Sequence, residues 1–157
     1  MNFEGQILRR LQTGFTLLEL SLTAAIIAVL AMIAIPKYQD YREGMKVQKA
    51  ITDIAEISAF IKQYDTEIRA LPDSLSQVGA DSRLDPWGNP YQYFNISTAK
   101  GKGMLRKDKS LNPINSDFDL YSMGKDGKTA TALTATSSHD DVIRARDGQF
   151  IGLASDF

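Results

Sequence analysis

Cysteine is absent from the 157 residues, which excludes a disulfide framework, a thiolate zinc site and a cysteine nucleophile together. Histidine is nearly absent: with His139 alone, neither a histidine-rich metal site nor a two-histidine acid/base pair can be built. No charge of one sign dominates either. Eighteen Lys and Arg against nineteen Asp and Glu leave a formal net charge of -1, so there is no overall electrostatic reason to bind nucleic acid. The sequence holds no nucleophile elbow, phosphate loop or metal-ligand spacing, and Ser137, Ser138 and His139, adjacent in one loop, lack the orienting scaffold of a catalytic set. Nothing in it points to an enzyme. No repeat is visible, and at about 100–200 residues per domain the length allows one globular domain with appendages.

What the chain does have is a very uneven distribution of apolar residues. Phe15 to Ile35 reads FTLLELSLTAAIIAVLAMIAI with Glu19 as its only charge, close to the ~20 residues that cross a bilayer as a helix. Arg9 and Arg10 precede the run, and the positive-inside tendency keeps them in the cytoplasm, which orients the amino terminus inward and the carboxy-terminal region outward. An ordinary secretory signal carries its small-residue cleavage site after the apolar run. Here Pro36-Lys37-Tyr38-Gln39 follows it, and the small residue, Gly14, stands before it.

Beyond Pro36 the pattern becomes amphipathic. Val47, Ala50, Ile54, Ile57, Ile61, Tyr64 and Ile68 recur at steps of three and four, which predicts a helix with one buried stripe, packed on the chain's own sheet or, less simply, in a coiled coil with a partner. Pro36 removes one backbone hydrogen bond and permits a kink, Gly44 is a second weak point, and Leu71-Pro72 is the expected end of the helix. The remaining chain reads as loops punctuating short strands. Asp85-Pro86-Trp87-Gly88-Asn89-Pro90 is a dense turn cluster leading into an alternating aromatic strand, Tyr91 to Phe94. Phe118 to Ser122 reads as a second strand and Gln149 to Leu153 as a third. Trp87 is expected to pack at the sheet. The basic run of Lys100, Lys102, Arg106, Lys107 and Lys109 lacks the interleaved aromatics of a single-strand nucleic-acid groove and reads as a solvated loop or an inter-subunit contact with acidic neighbours. The fold class is therefore α+β: a long amino-terminal helix, half membranous and half amphipathic, packed on a small antiparallel sheet with a long carboxy-terminal loop.

Gly14-Phe15, then TLLE with Glu19, the apolar run and Pro36-x-Tyr38 resemble the class III signal of type IV pilins and type II secretion pseudopilins. The resemblance implies that a prepilin peptidase cuts between Gly14 and Phe15 and that the new Phe15 amine is N-methylated. Residues 1–14 are then a cytoplasmic leader, 15–36 a membrane and filament-core helix, 37–71 an amphipathic helix and 72–157 the sheet and loop region. A carboxylate in hydrocarbon costs roughly 2.5–3.5 kcal/mol on insertion scales and usually has a partner. After cleavage the Phe15 amine is a cation at the depth of Glu19, so Glu19 of one subunit can meet Phe15 of its neighbour; alternatively it snorkels or stays protonated near the inner interface.

DPWGNPYQY, residues 85–93, and DLYSMGKDG, residues 119–127, are similar to the carboxy-terminal half of the major pseudopilin of type II secretion systems. That resemblance implies a calcium ion held by the Met123 and Lys128 carbonyls and the carboxylates of Asp126, Asp140 and Asp141, a set of hard oxygens of the kind calcium takes. Read as residues alone, the same aspartates are ordinary turn formers. The TATALTATSS stretch between Asp126 and Asp140 and the VIRARDG after Asp141 depart from the family pattern. The family further implies self-assembly into a helical filament with minor subunits, an inner-membrane assembly platform, and a single-pass inner-membrane protein with a periplasmic carboxy-terminal domain. A surface type IV pilin is the alternative within the same class. Processing has a direct test: mass spectrometry of the membrane-extracted protein is expected to show a chain starting at methylated Phe15, whereas an intact Met1 in cells carrying the peptidase contradicts it.

Overall fold

A computed structural model describes residues 14–99, 101 and 103–157. The leader with Arg9 and Arg10, together with Lys100 and Lys102, lies outside the described residues. One helix, α1, runs from Leu17 to Ile68 with Pro36 inside it. Four short strands follow: β1 (Gln92–Asn95), β2 (Phe118–Ser122), β3 (Val142–Ala145) and β4 (Phe150–Leu153). They form one sheet in the order β1-β2-β3-β4, antiparallel at every pairing. The chain divides into two units, one ending at Tyr41 and the other comprising Arg42–Phe157.

The described part of the first unit is almost wholly helical, and none of its side chains is buried. Leu17, Leu18, Ile27, Met32 and Ile33 are all more than 60% exposed, and the helix contains an 18-residue window of mean hydropathy 2.4 with nothing covering it. An apolar surface this continuous marks a face that lipid or another protein covers. It fits a membrane anchor.

The second unit is built on the other half of α1. Ala50, Ile54, Ile57 and Ile61 are fully buried, one face of the helix at steps of four, three and four, against Phe118 and Leu120 of β2, Val142 of β3, and Tyr91, Leu75 and Ala80. Asp53, on the edge of the same stripe, is buried as well; its carboxylate accepts from the Tyr91 hydroxyl (3.0 Å) and pairs with Lys49. Burial, then the bond to Asp53, pushes the Tyr91 hydroxyl well above its ordinary range, so it stays a proton donor. A second, smaller cluster joins Ile143 and Ala145 of β3 to Ile114, Leu133 and Ala154, with Tyr121, Phe150 and Phe157 packed beside it.

Besides one-residue shifts in β1 and at the start of β4, three features differ from the sequence expectation. The stripe stops at Ile61: Tyr64 is half-buried and Ile68 exposed. The helix ends at Ile68 and not at Leu71-Pro72, because Arg69 turns into the left-handed region (φ 62) while its N–H still bonds Asp65 O at 2.8 Å. That is the common helix stop, made here without the glycine that would advertise it. The third difference is β3. Val142-Ile143-Arg144-Ala145 is buried at all four positions, so the alternation that betrays a half-exposed strand is missing, and Arg144 in its middle disguises it further.

Ile57→Ala is expected to cost about 2–5 kcal/mol through lost burial and an unfilled cavity, while Ile68→Ala at the exposed end of the same periodicity stays within about 0.5 kcal/mol. Denaturant unfolding of the detergent-solubilised chain checks the contrast.

Candidate functional site

Two sets of residues carry chemistry. The first is the amino-terminal junction. Gly14 and Phe15 precede α1 and are exposed, open to an enzyme. Glu19 does not stand alone: its Oε2 accepts from the Thr16 N–H and the Thr16 hydroxyl, both at 2.9 Å, and the Glu19 N–H donates to Thr16 Oγ1 at 3.1 Å. This is a capping box, a Thr and a Glu three residues later satisfying each other's amides at the first turn. The T-x-x-E spacing that announces it is in the sequence, beside the charge that draws the eye. The box orients the carboxylate but supplies no cation to it.

The second set is where the two pseudopilin-like blocks meet. Asp85 opens the turn cluster and is buried; its Oδ1 accepts from the Trp87 and Asn89 amides (3.0 and 2.8 Å), and the Ser122 hydroxyl donates to its Oδ2. The Asn89 amide group in turn donates to the Gly124 carbonyl at 3.0 Å. Trp87 lies half-buried against the core and its indole N–H donates to Glu43. The aspartate, the tryptophan and the asparagine are thus a structural joint between the turn and the loop after β2. Gly124 cannot carry a side chain there: its φ is +62, and a Cβ would sit 2.3 Å from the Asp140 carbonyl oxygen.

Asp126 and Asp140 meet at one turn, but the three aspartates of the expected calcium set each bond a different partner. Asp126 is exposed and its Oδ1 accepts from the Lys128 N–H at 2.7 Å, a turn closed by its own side chain. Asp140 is half-buried, and its Oδ2 accepts from the Lys125 and Asp126 amides at 2.8 and 3.0 Å. Asp141, next in sequence, is completely buried, and its Oδ2 accepts from Arg106 Nη2 and the Thr129 hydroxyl, each at 2.6 Å. Among the described residues no three acidic or histidine side chains converge on a point where a metal could sit. Met123 and Lys128, expected to lend carbonyls, flank the same turn with no acidic cluster to complete. A shell of six to eight oxygens therefore does not fit this arrangement: one aspartate binds its own turn, one binds the neighbouring backbone, and one is already paired with a guanidinium.

Arg106 is the residue that sequence reasoning missed. Placed in a basic run, it reads as solvated, yet it is 2% exposed. Its N–H donates to Asp119 Oδ2 (2.9 Å), its Nη1 to the Thr129 hydroxyl (2.6 Å), and its guanidinium lies 4.1 Å over the Tyr121 ring. Burial pushes the Asp141 carboxyl upward against the pull of Thr129 and Arg106, and that of Asp119 upward against its bonds to Arg106 and Asn115. A second buried arginine, Arg144, makes a paired contact with Asp117 (2.7 and 2.6 Å), donates to the Phe118 carbonyl (2.9 Å) and stacks 3.9 Å over the Phe118 ring.

Residues 9–35 match the family model for the prokaryotic N-terminal methylation motif, the stretch that holds Gly14, Phe15 and the capped Glu19. Type II secretion system core protein G of Pseudomonas aeruginosa is 33% identical over 141 residues, covering 76% of this chain and 88% of that protein. This chain belongs to the core protein G family, the major pseudopilins. The protein of the same name from Vibrio cholerae is 30% identical over 139 residues, 76% of this pseudopilin and 84% of its relative. A fimbrial protein of Neisseria meningitidis is 27% identical over 138 residues, 87% of the pseudopilin and 81% of the relative. No solved structure matches. The α+β architecture expected from the sequence is the one found.

Proposed function

We propose that this chain is the major structural subunit of the pseudopilus, polymerising in the periplasm to drive type II protein secretion. The single observation that carries the reading is the combination, in one chain that aligns with core protein G along 88% of that protein's length, of an uncovered apolar helix with a carboxylate in its first turn. A membrane anchor alone does not need that carboxylate. A filament subunit does: the helix anchors the monomer in the inner membrane, amino terminus inward, until neighbouring helices replace the lipid. In this reading a prepilin peptidase removes residues 1–14 and the freed, methylated Phe15 amine faces the Glu19 carboxylate of an adjacent subunit. Minor pseudopilins and an inner-membrane platform complete the assembly. The similarity to fimbrial proteins favours a surface pilus as the second reading, with the same helix and the same charge.

The test replaces the native gene with Glu19→Ala. Because the variant has lost a costly membrane carboxylate, it is expected to reach the membrane at wild-type level or above, yet to form no filaments and to leave secreted proteins in the periplasm. Loss of surface pili with intact secretion moves the chain to the second reading. Normal filaments overturn the role of Glu19.

A further inference from the structure

We infer that an internal cation, the Arg106 guanidinium, does in this chain what a bound divalent metal would do: it neutralises Asp141 and clamps the long loop, so that the fold requires no calcium. The inference concerns only the Arg42–Phe157 unit and does not depend on whether the filament is a pseudopilus or a surface pilus.

The loop between β2 and β3 spans residues 123–141, a long irregular excursion whose closure and ordering cost conformational entropy that packing must offset. Few apolar groups in the loop can offset it, and Leu133 is the one hydrophobe it commits fully to the core. What holds the loop is a zipper with the segment that precedes β2. Lys107 N–H donates to Thr131 O (2.7 Å) and Leu133 N–H donates to Lys107 O (2.9 Å), while within the preceding segment itself Ile114 N–H donates to Arg106 O (3.1 Å). Arg106, next to Lys107, reaches three places at once: Asp119 on β2 through its amide, Thr129 in the middle of the long loop, and Asp141 at the loop's exit into β3.

Charge and burial make this residue the clamp. Asp141 is wholly buried and Arg106 nearly so, with 0% and 3% of their side chains exposed, and a buried carboxylate without a cation is strongly destabilising. The thirteen-residue spacer between Asp126 and Asp140 carries no acidic side chain, so the loop offers a cation little beyond the aspartates already named. Asp141 Oδ1 has no hydrogen-bond partner, the one buried carboxylate oxygen among the described residues left so. It lies on the carboxylate already paired with a guanidinium, whose charge repels a second cation. The wall on the other side is the Tyr121 ring, 4.1 Å away, whose π face favours the delocalised guanidinium.

The experiment is thermal unfolding of the full chain in non-ionic detergent, with millimolar calcium against excess chelator and magnesium as control, on wild type, Arg106→Met, Asp141→Leu, Thr129→Val and the double variant Arg106→Met/Asp141→Leu. The wild-type midpoint is expected to be the same with calcium and with chelator, where a calcium site saturated a hundredfold would raise it by roughly 10 °C. Arg106→Met is expected to lower the midpoint by about 10 °C or more, having stranded a buried carboxylate, and the double variant to recover a substantial part of that loss because nothing is left uncompensated. If Arg106→Met does not fold at all, Thr129→Val, which removes two hydrogen bonds and no charge, and the double variant carry the comparison: a smaller loss in the first and a folded protein in the second support the clamp. A wild-type midpoint that rises with calcium and not with magnesium overturns the inference, as does a double variant whose loss equals the sum of the two single losses.

Discussion

The carboxy-terminal unit depends on one strip of helix surface. Ala50, Ile54, Ile57 and Ile61 are the residues that α1 commits to the sheet, and at about 1.5–3 kcal/mol for each large apolar side chain fully buried they are the main contribution the helix makes to the fold. The spacing permits no slippage, since a helix rotated by one residue would bring Lys49, Asp53 and Glu56 toward Phe118 and Val142. Even the polar member of that face is fixed: Asp53 is held by Tyr91 and Lys49 at the margin of the core. The same helix, nearer its start, has no such partner. From Leu17 to Ile35 its apolar groups are uncovered, so one continuous element serves two solvents, protein interior along one stripe and lipid or neighbouring helices around its whole girth.

Away from the helix the sheet is closed by charge as much as by hydrophobicity. Two arginines buried over aromatic rings, Arg106 on Tyr121 and Arg144 on Phe118, each answer an aspartate at 2.6 Å. Buried ion pairs are weak evidence of net stability, because desolvation consumes much of the attraction, but breaking one by removing a single partner is costly. Their effect is to fix which loop meets which strand. A chain with no cysteine has no covalent staple for its long loops, and these pairs, with the capped turn at Asp85 and the close approach at Gly124, are what it uses.

Much of this was legible in the residues. Phe118 to Ser122 reads as a strand and is one with those bounds; the apolar run, the stripe through Ile61 and the turn cluster at Asp85 follow from periodicity and turn chemistry alone. What stayed hidden shares a cause: residues whose partners are distant in sequence. Arg106 looks solvated until Asp141, 35 positions away, is placed beside it. β3 looks like a loop because its buried Arg144 breaks the apolar run, and the helix end at Arg69 carries no glycine. The adjacent Asp140 and Asp141 part in the same way, one carboxylate bonded to the neighbouring backbone and the other paired with Arg106 in the core. Local pattern fixes elements; long-range charge pairing decides how the loops close.

The central claim is that the amino-terminal helix and its one carboxylate exist to build a filament. An electron cryomicroscopy map of filaments sheared from cells producing this chain tests it most directly. The account predicts a subunit beginning at Phe15, the helix packed among its neighbours over the whole apolar run, and the Glu19 carboxylate within hydrogen-bonding distance of an adjacent Phe15 amine. A map in which residues 1–14 are retained, or in which Glu19 faces only apolar side chains with no amine near it, contradicts the account.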